Sequence, residues 1–315
     1  MRFKVHVALL VIGLSVVTGS CRKKDSAGLP SLSTSPPDSI TASTATGGGT
    51  IISEGGAEIV VNGVCWNTTG DPTIEDSKAE GDPGMKVFSS NITGLLPNTE
   101  YHIRSFATNR VGTGYGEDLT FSTYAVMDTD GNGYYSVVIG DQVWISKNLL
   151  TTRYNDGDTI PDWKFATLDG YCCYNNDEVV LKRTYGVLYN WFAVNTGKLC
   201  PAGWHVPSID EWYQLASSLD GESVAGGKLK ETGTDHWQGP NTGAADTFGF
   251  KALPGGYCTG DGYFYSLGEQ AIWWSSSRYL ASGGYSAYIA YDDSTLNYIG
   301  HGRDWGFSVR CIKDN

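Results

Sequence analysis

The sequence has little positive charge. Among its 315 residues, 22 are Lys or Arg and 34 are Asp or Glu, which gives a formal net charge of −12. A protein that binds nucleic acid needs a basic face that displaces counterions from phosphate groups. The one basic cluster in the sequence is Arg22, Lys23 and Lys24. We therefore expect no nucleic acid among the partners of this protein.

The sequence also lacks the motifs of common hydrolases, nucleotide-binding enzymes and metalloenzymes. It contains no Gly-x-Ser-x-Gly or Walker-type loop, and its histidines stand without His-x-x-x-His or Cys-x-x-Cys partners. Asp292 and Asp293 are adjacent, and adjacent residues on a strand point to opposite faces, so they cannot both flank one scissile bond. These absences predict that the protein is not an enzyme and uses no cofactor.

The segment Asp128–Gly133 begins like a calcium-binding EF-hand loop. Such a loop needs a bidentate Glu at its twelfth position, and that position is Ile139 in this sequence. The pair Asn132-Gly133 is typical of a turn between two strands. We therefore expect a β-turn here and no metal.

Long apolar runs are missing, apart from one near the N-terminus. Residues 7–17 are almost entirely apolar, two basic residues precede them, and the small residues 18–20 lead directly to Cys21. The run is about half of the ~20 residues that a membrane-spanning helix needs, and this order is typical of a signal peptide over residues 1–20. The segment resembles the lipobox of bacterial lipoproteins, in which the Cys thiol is diacylated before cleavage. An ordinary signal peptide that ends beside a cysteine is the alternative.

The lipobox resemblance implies an exported protein that a lipid on Cys21 holds in the outer membrane, exposed at the cell surface. Residues 21–36 are rich in Ser, Pro and Lys and poor in large apolar side chains. That composition is typical of a flexible tether.

Residues 37–123 alternate apolar and polar side chains in short runs that Gly, Asn, Asp and Pro separate, as in a small β-sandwich. The segment Gly94–Tyr101 resembles the E–F corner of a fibronectin type III domain, where a buried Tyr hydroxyl bonds to the turn backbone. Ala107–Gly116 resembles the F–G hairpin that follows. The resemblance implies an all-β fibronectin type III-like sandwich with Trp66 in its core.

Residues 126–315 resemble the Fibrobacter succinogenes major paralogous domain along nearly their whole length. The resemblance implies an α+β, C-type-lectin-like fold with a twisted antiparallel sheet, two helices and a long loop-rich insertion. The motifs that carry it are Met127–Tyr135, Val138–Leu149, Cys172–Asp177, Tyr185–Trp191, Cys200–Ser208, Phe248–Gly256, Trp273–Ser277 and Gly306–Cys311.

Two helices are expected in this second domain. Residues 185–195 are compatible with a first helix that buries Leu188 and Trp191 on one face. Ser208 followed by Glu211 is typical of a capping box at the start of a second helix. The apolar residues after Ser208 recur at intervals of three and four, which supports that second helix.

An exported chain meets an oxidising compartment, in which disulfides form. The resemblance implies a disulfide between Cys200 and Cys311, because the lectin-like fold joins these two places. Cys258 would then pair with Cys172 or Cys173. We expect Cys65 to be a buried thiol.

The segment 279–304 is dense in Tyr and short polar residues, and glycines break it into loops, as is typical of a surface that recognises a partner. Calcium-dependent lectins of this fold use an Asx/Glx-Pro-Asx tripeptide, whereas this chain has Gly239-Pro240-Asn241, so we expect binding without calcium. We predict that an extracellular glycan or protein binds here, and the alternative is a structural adhesin or envelope component without a small-ligand site. The predicted ligand-binding residues are Tyr285, Tyr291, Asn297, Tyr298, Arg303 and Asp304.

Overall fold

The computed structural model describes residues 27–162, 169–281 and 283–315. Within them, a β-sandwich is followed by a second, mostly β domain that carries the α-helices. The predicted signal peptide, 1–20, and the predicted lipidation site, Cys21, lie outside the described residues. No helix in the described ranges is long and apolar enough to cross a membrane.

The first domain consists of two antiparallel sheets. One has the strand order β1-β2-β5, and the other has the order β4-β3-β6-β7, with β8 paired to β6. The strands are β1 (Ser31–Asp38), β2 (Thr44–Ser53), β3 (Ile59–Asn67), β4 (Ser77–Glu80), β5 (Val87–Thr93), β6 (Glu100–Asn109), β7 (Gly112–Tyr115) and β8 (Leu119–Ser122).

Alternating side chains fill the space between these sheets. In β5, Phe88, Ser90 and Ile92 are buried while their neighbours are exposed, as a half-buried strand requires. Trp66 lies in the same core, as expected. The corner interaction predicted at Tyr101 is confirmed, because its buried hydroxyl accepts a hydrogen bond of 2.9 Å from the Leu96 N–H.

The predicted tether, 21–36, ends earlier than expected, because Ser31–Asp38 forms the first strand. Leu32 and Thr34 point into the sandwich, and the Thr34 hydroxyl donates to the Glu117 carbonyl oxygen at 2.6 Å. Farther towards the N-terminus, Gly28 donates to the Gly55 carbonyl oxygen at 2.7 Å and accepts from the Asn109 amide at 2.8 Å. Short polar residues form a strand here because a neighbouring strand supplies hydrogen bonds, which composition alone does not reveal.

In its described residues, the second domain contains three sheets and a two-stranded hairpin. The sheets have the orders β11-β12-β22-β15, β13-β14-β21-β16-β17 and β18-β19-β20, and β9 pairs with β10. The strands are β9 (Val126–Met127), β10 (Gly133–Tyr134), β11 (Ser136–Ile139), β12 (Gln142–Ile145), β13 (Tyr171–Cys172), β14 (Leu188–Asn190), β15 (Trp204–His205), β16 (Gly255–Cys258), β17 (Phe264–Leu267), β18 (Gln270–Tyr279), β19 (Gly283–Ala290), β20 (Asn297–Gly302), β21 (Gly306–Phe307) and β22 (Ile312–Lys313).

The helices of the described residues are short. They are α1 (Val180–Tyr185), α2 (Trp191–Val194), α3 (Ile209–Ser218) and α4 (Glu222–Leu229), with a 3-10 turn at Tyr174–Asn176. The capping box predicted at Ser208 is confirmed: its hydroxyl accepts the Glu211 N–H, and the Glu211 carboxylate accepts the Ser208 N–H at 2.7 Å.

The helix expected over residues 185–195 is wrong. Gly186, with a φ of 88°, ends α1, and Leu188–Asn190 forms a strand between β13 and β21. The Asn190 side chain then accepts the Ala193 N–H and starts the short helix α2. Pairing with strands that are distant in sequence overrides the local helical pattern.

The sheet β18-β19-β20 lies between two cores. One face, which carries Trp273 and Ile289, packs against α3. The other face, which carries Trp274, packs against the core that contains Cys200 and Cys311. These two cysteines form the disulfide that the resemblance implies, with their Cα atoms 6.0 Å apart.

The buried cation Arg310 links segments of the second domain that are far apart in sequence. Arg310 is 1% exposed, and its Nε and Nη2 donate to the Asn148 Oδ1 at 3.2 and 2.9 Å. The same oxygen accepts the Trp273 indole N–H at 2.8 Å. The guanidinium lies 4.1 Å from the centre of the Phe250 ring, and burial lowers the pKa of Arg310 to about 9. Its Nη1 also donates to the carbonyl oxygens of Phe250 and Ile145, so Asn148 is the side-chain acceptor beside two backbone acceptors.

Candidate functional site

The structure does not bring the predicted ligand-binding residues together on one surface. Tyr298 and Tyr291 pack partly against the core beneath α3. The Tyr298 hydroxyl donates to the Trp212 carbonyl oxygen at 3.3 Å, and burial raises the pKa of this phenol. Tyr285 contacts the Tyr279 ring at 5.1 Å between centroids.

The other three predicted residues point to separate places. The Asn297 amide donates to the Thr295 carbonyl oxygen at 3.2 Å. Arg303 donates to the Ala281 carbonyl oxygen, and its guanidinium lies 5.9 Å from the Trp191 ring. Asp304 is exposed. Three of the six hydrogen-bond within the protein and a fourth packs partly against the core, so the set does not define a ligand face.

An open cleft lies on one face of the sheet β18-β19-β20, opposite to the face that carries Tyr298. Tyr288 of β19 stands opposite Ile272 of β18 and Asn297 of β20. Facing residues, and residues two apart on a strand, share one face of a sheet, so Ile299 and His301 join them. The cleft has a volume of about 250 Å³ and is lined by Tyr257, Gln270, Ile272, Tyr288, Ile299, His301 and Trp305.

Stacked rings form one wall of this aromatic cleft. The Trp305 and Tyr257 rings are nearly parallel, with centroids 5.5 Å apart and an interplanar angle of 16°. His301 lies 4.8 Å from Trp305 on one side, and Tyr265 of β17 lies 5.6 Å from Tyr257 on the other. The register of β16 and β17 pairs Tyr257 with Tyr265. The result is a continuous row of rings along the cleft.

The aromatic cleft is uncharged near neutral pH. His301 is its one histidine, and no Asp, Glu, Lys or Arg lines it. Desolvation by the surrounding rings lowers the pKa of His301 to about 4. Phe307 lies 4.7 Å from the imidazole and Trp274 lies 6.5 Å away. The imidazole is therefore neutral and offers one N–H donor and one N acceptor.

Polar groups at the aromatic cleft are available to a ligand. In the described part of the chain, the hydroxyls of Tyr257 and Tyr288, the Gln270 amide and the His301 ring nitrogens make no hydrogen bond to protein. Each of them is only partly buried. Together they provide donors and acceptors around an apolar floor formed by Ile272.

The acidic loop at Asp128 forms the expected turn. The Gly131 N–H donates to the Asp128 carbonyl oxygen between β9 and β10. The Asp128 carboxylate accepts the Tyr134 hydroxyl at 2.6 Å and the Asn132 N–H at 2.9 Å. The carboxylate oxygens of Asp128 thus accept hydrogen bonds from donors of the protein itself. Over residues 27–162, 169–281 and 283–315, no group of three or more His, Cys, Asp or Glu side chains is placed to hold a metal ion.

The lining of the aromatic cleft overlaps only in part with the segment that the sequence predicts to bind a ligand. Tyr288 and His301 lie within the segment that was expected to bind, but Tyr257 and Gln270 precede it and Trp305 follows it. Successive side chains of β19 and β20 point to opposite faces of the sheet. This alternation could have divided the tyrosines of the segment into one set for each face. Which face stays open depends on where α3 packs.

Three solved structures are similar to part of this chain. Domains of titin match with 20% identity and a TM-score of 0.23, over 31% of this chain and 32% of that one. The fibronectin type III domain derived from the human KIAA0970 protein matches with 16% identity and a TM-score of 0.21, over 29% and 72%. The fn3 domain of human contactin 1 matches with 16% identity and a TM-score of 0.24, over 38% and 100%. The chain thus spans about a third of the titin fragment.

No curated protein matches the chain. A family model does: that of the Fibrobacter succinogenes major domain matches residues 137–313, which is more than half of the sequence. The match covers the aromatic cleft, the Cys200–Cys311 disulfide and the buried Arg310. The chain therefore belongs to the Fibrobacter succinogenes major domain family.

Proposed function

We propose that this protein is a lipid-anchored protein of the outer-membrane surface that binds an extracellular glycan through the aromatic cleft. The observation that carries the proposal is the row of stacked rings beside unpaired polar groups, in a cleft without charged side chains. Binding involves no covalent chemistry and no metal.

A glycan fits this chemistry better than other small ligands. A pyranose ring has an apolar C–H face, which packs on an aromatic ring, and a rim of hydroxyls, which hydrogen-bond to side chains. Trp305 and Tyr257 offer the ring surface. Gln270, Tyr288 and the neutral His301 offer hydrogen bonds to the hydroxyls. An uncharged lining favours a neutral sugar unit over an acidic one, because nothing in it compensates a carboxylate.

The remaining parts of the proposal rest on the sequence and on the fold of the second domain. The lipobox-like residues before Cys21 support lipidation and export. The helix α3 packed on an antiparallel sheet, together with the Cys200–Cys311 disulfide, supports a C-type-lectin-like relationship for the second domain. In this proposal the first domain carries the binding domain away from the membrane.

The test is a glycan array, probed with the full chain carrying Cys21→Ser, followed by calorimetry on the best oligosaccharide. Trp305→Ala should weaken binding about thirtyfold, which corresponds to about 2 kcal/mol, because it removes one of the two inner rings of the row. Tyr263→Ala is the matched control, since Tyr263 is 62% exposed and does not line the cleft. It should leave the affinity unchanged.

Three outcomes would contradict the proposal. If no glycan binds, the structural role gains support. If a glycan binds and Tyr291→Ala weakens it while Trp305→Ala does not, the ligand occupies the face predicted from the sequence. If binding disappears after treatment with a chelator, the site depends on a metal.

A further inference from the structure

Cys172 and Cys258 lie together in a small apolar cluster of the second domain. They are 5% and 2% exposed and pack with Tyr174, Leu188 and Phe264. Cys172 ends β13, and Cys258 ends β16. The 3-10 turn after β13 folds over β16, where the Tyr174 and Phe264 rings meet at 5.1 Å. That fold brings two cysteines from distant parts of the sequence to one place.

Only one of the adjacent pair Cys172-Cys173 faces Cys258. Successive residues of an extended segment point to opposite sides. Cys172 points into the cluster with Cys258, whereas Cys173 belongs to the core that holds the Cys200–Cys311 disulfide. The structure thus distinguishes two pairings that the sequence leaves equivalent.

The Cys258 thiol donates a hydrogen bond of 3.4 Å to the Thr259 carbonyl oxygen, and Cys172 lies in the same apolar cluster. Interaction with the Cys172 thiol lowers the pKa of Cys258, and interaction with Cys258, together with burial, raises the pKa of Cys172. The sulfur with the lower pKa is the better nucleophile of the pair. Both cysteines also line a second cleft of about 320 Å³ with Asn176 and Asp261, which gives a small thiol reagent a path to them.

We propose that Cys172 and Cys258 form a second disulfide of the exported protein. The proposal rests on the export that is part of the proposed function, since the oxidant is an envelope oxidoreductase in its disulfide form. The Cys258 thiolate attacks one sulfur of that disulfide, and the other leaves as a thiolate. The Cys172 thiol loses its proton and attacks the Cys258 sulfur of the mixed disulfide, which releases the second thiolate of the oxidant. The two electrons from the cysteine pair thus reduce the oxidant to its dithiol.

The disulfide would connect the end of β13 to the end of β16, the strand that carries Tyr257. In the chain-entropy picture, closing this long loop restricts the unfolded chain and stabilises the fold. The reduced form, in which only the apolar cluster holds the two segments, should therefore unfold at a lower temperature.

The test needs neither a glycan nor a membrane, so its failure is distinct from failure of the proposed function. The full chain carrying Cys21→Ser is equilibrated with oxidised or reduced glutathione, alkylated, and mapped as peptides without reduction. We expect a Cys172–Cys258 cross-link beside Cys200–Cys311 under oxidising conditions, with Cys65 and Cys173 alkylated only after denaturation. A Cys173–Cys258 cross-link, or free thiols at Cys172 and Cys258, would overturn the proposal.

Two serine variants provide matched readouts of stability. Cys172→Ser should lower the Tm of the oxidised protein by roughly 5–10 °C. It should also abolish the difference in Tm between chains in which Cys172 and Cys258 are oxidised and chains in which they are reduced. Cys173→Ser, one residue away, should preserve that difference. If both variants respond alike, the loss reflects packing and the proposed disulfide does not form.

Discussion

The side-chain amide of Asn98 pairs with the backbone of Ser136 through two hydrogen bonds. Its Oδ1 accepts the Ser136 N–H at 2.9 Å, and its Nδ2 donates to the Ser136 carbonyl oxygen at 3.2 Å. Asn98 belongs to the first domain and Ser136 begins β11 of the second. The Tyr124 and Tyr135 rings meet beside them at 5.0 Å. The two domains are therefore held by specific contacts at their junction.

Replacing Asn98 should loosen this junction without unfolding either domain. Asn98 has a φ of 50°, so Asn98→Gly keeps the backbone conformation and removes only the amide. We expect a loss of about 1–2 kcal/mol of interdomain coupling, seen in small-angle scattering as a wider distribution of domain distances. Asn175→Gly, at an exposed residue with a φ of 51°, is the control. An unchanged scattering profile for Asn98→Gly would show that the ring contact alone fixes the domains.

Removing Asn148 should strongly destabilise the second domain. Asn148→Ala leaves the buried Arg310 guanidinium and the Trp273 indole N–H without their shared acceptor. The Ile145 and Phe250 carbonyl oxygens still accept from the guanidinium. The loss is therefore that of one acceptor shared by a charged and a neutral donor, and the free energy of unfolding in denaturant should fall by about 2–3 kcal/mol. Asn297→Ala, which removes one amide from a partly buried position, should cost less than about 1 kcal/mol. A similar loss in both variants would mean that the Ile145 and Phe250 carbonyl oxygens suffice for Arg310.

Lys230 should make stability depend on pH in the alkaline range. Its side chain is buried, its Nζ donates to the Ala290 and Asp293 carbonyl oxygens at 3.0 and 2.9 Å, and burial lowers its pKa from 10.5 to about 8. Between these two values the unfolded chain binds the proton and the folded chain does not. The free energy of unfolding contributed by this group therefore rises as pH increases from 8 to 10.5.

The measurement for Lys230 is denaturant unfolding at pH 8 and pH 10. The free energy of unfolding of the parent, relative to that of Lys230→Met, should rise by about 1–2 kcal/mol between pH 8 and pH 10. Lys228→Met, on the neighbouring surface, provides the control and should show no such trend. A difference that shrinks with pH would mean that the folded protein retains the Lys230 proton.

Glycan binding should be insensitive to pH around neutrality. Because burial among rings lowers the pKa of His301 to about 4, the imidazole stays neutral from about pH 5 upward and its hydrogen bonds do not change. Affinity should fall below pH 4, where the charged ring is forced into an apolar wall. His301→Gln should abolish this loss of affinity at low pH. A decline in affinity near pH 6.5 in the parent would mean that the imidazole is solvated.

Local patterns and motifs predicted part of the structure. Ser208 with Glu211 marked a helix start, and Tyr101 marked a sandwich corner, because each interaction lies within a few residues of sequence. Residues 31–36 and 185–195 were misjudged, because partners far along the chain turn residues 31–36 and 188–190 into strands. Which face of β19 stays open depends on which face α3 covers. The alternation of side chains along one strand does not determine this, because it depends on how separate elements pack.

The hydrogen bonds at Gly28 limit how far the molecule can stand from its anchor. With a lipid on Cys21, as proposed, only the six residues 22–27 lie between the attachment point and Gly28, which Gly55 and Asn109 hold in place. The seven Cα–Cα steps from Cys21 to Gly28 span at most about 25 Å when fully stretched. The sandwich would then stay close to the lipid headgroups, and the fixed junction would place the aromatic cleft at a nearly constant height above them. A glycan that reaches that height would be bound, whereas a shorter one buried near the bilayer would be missed.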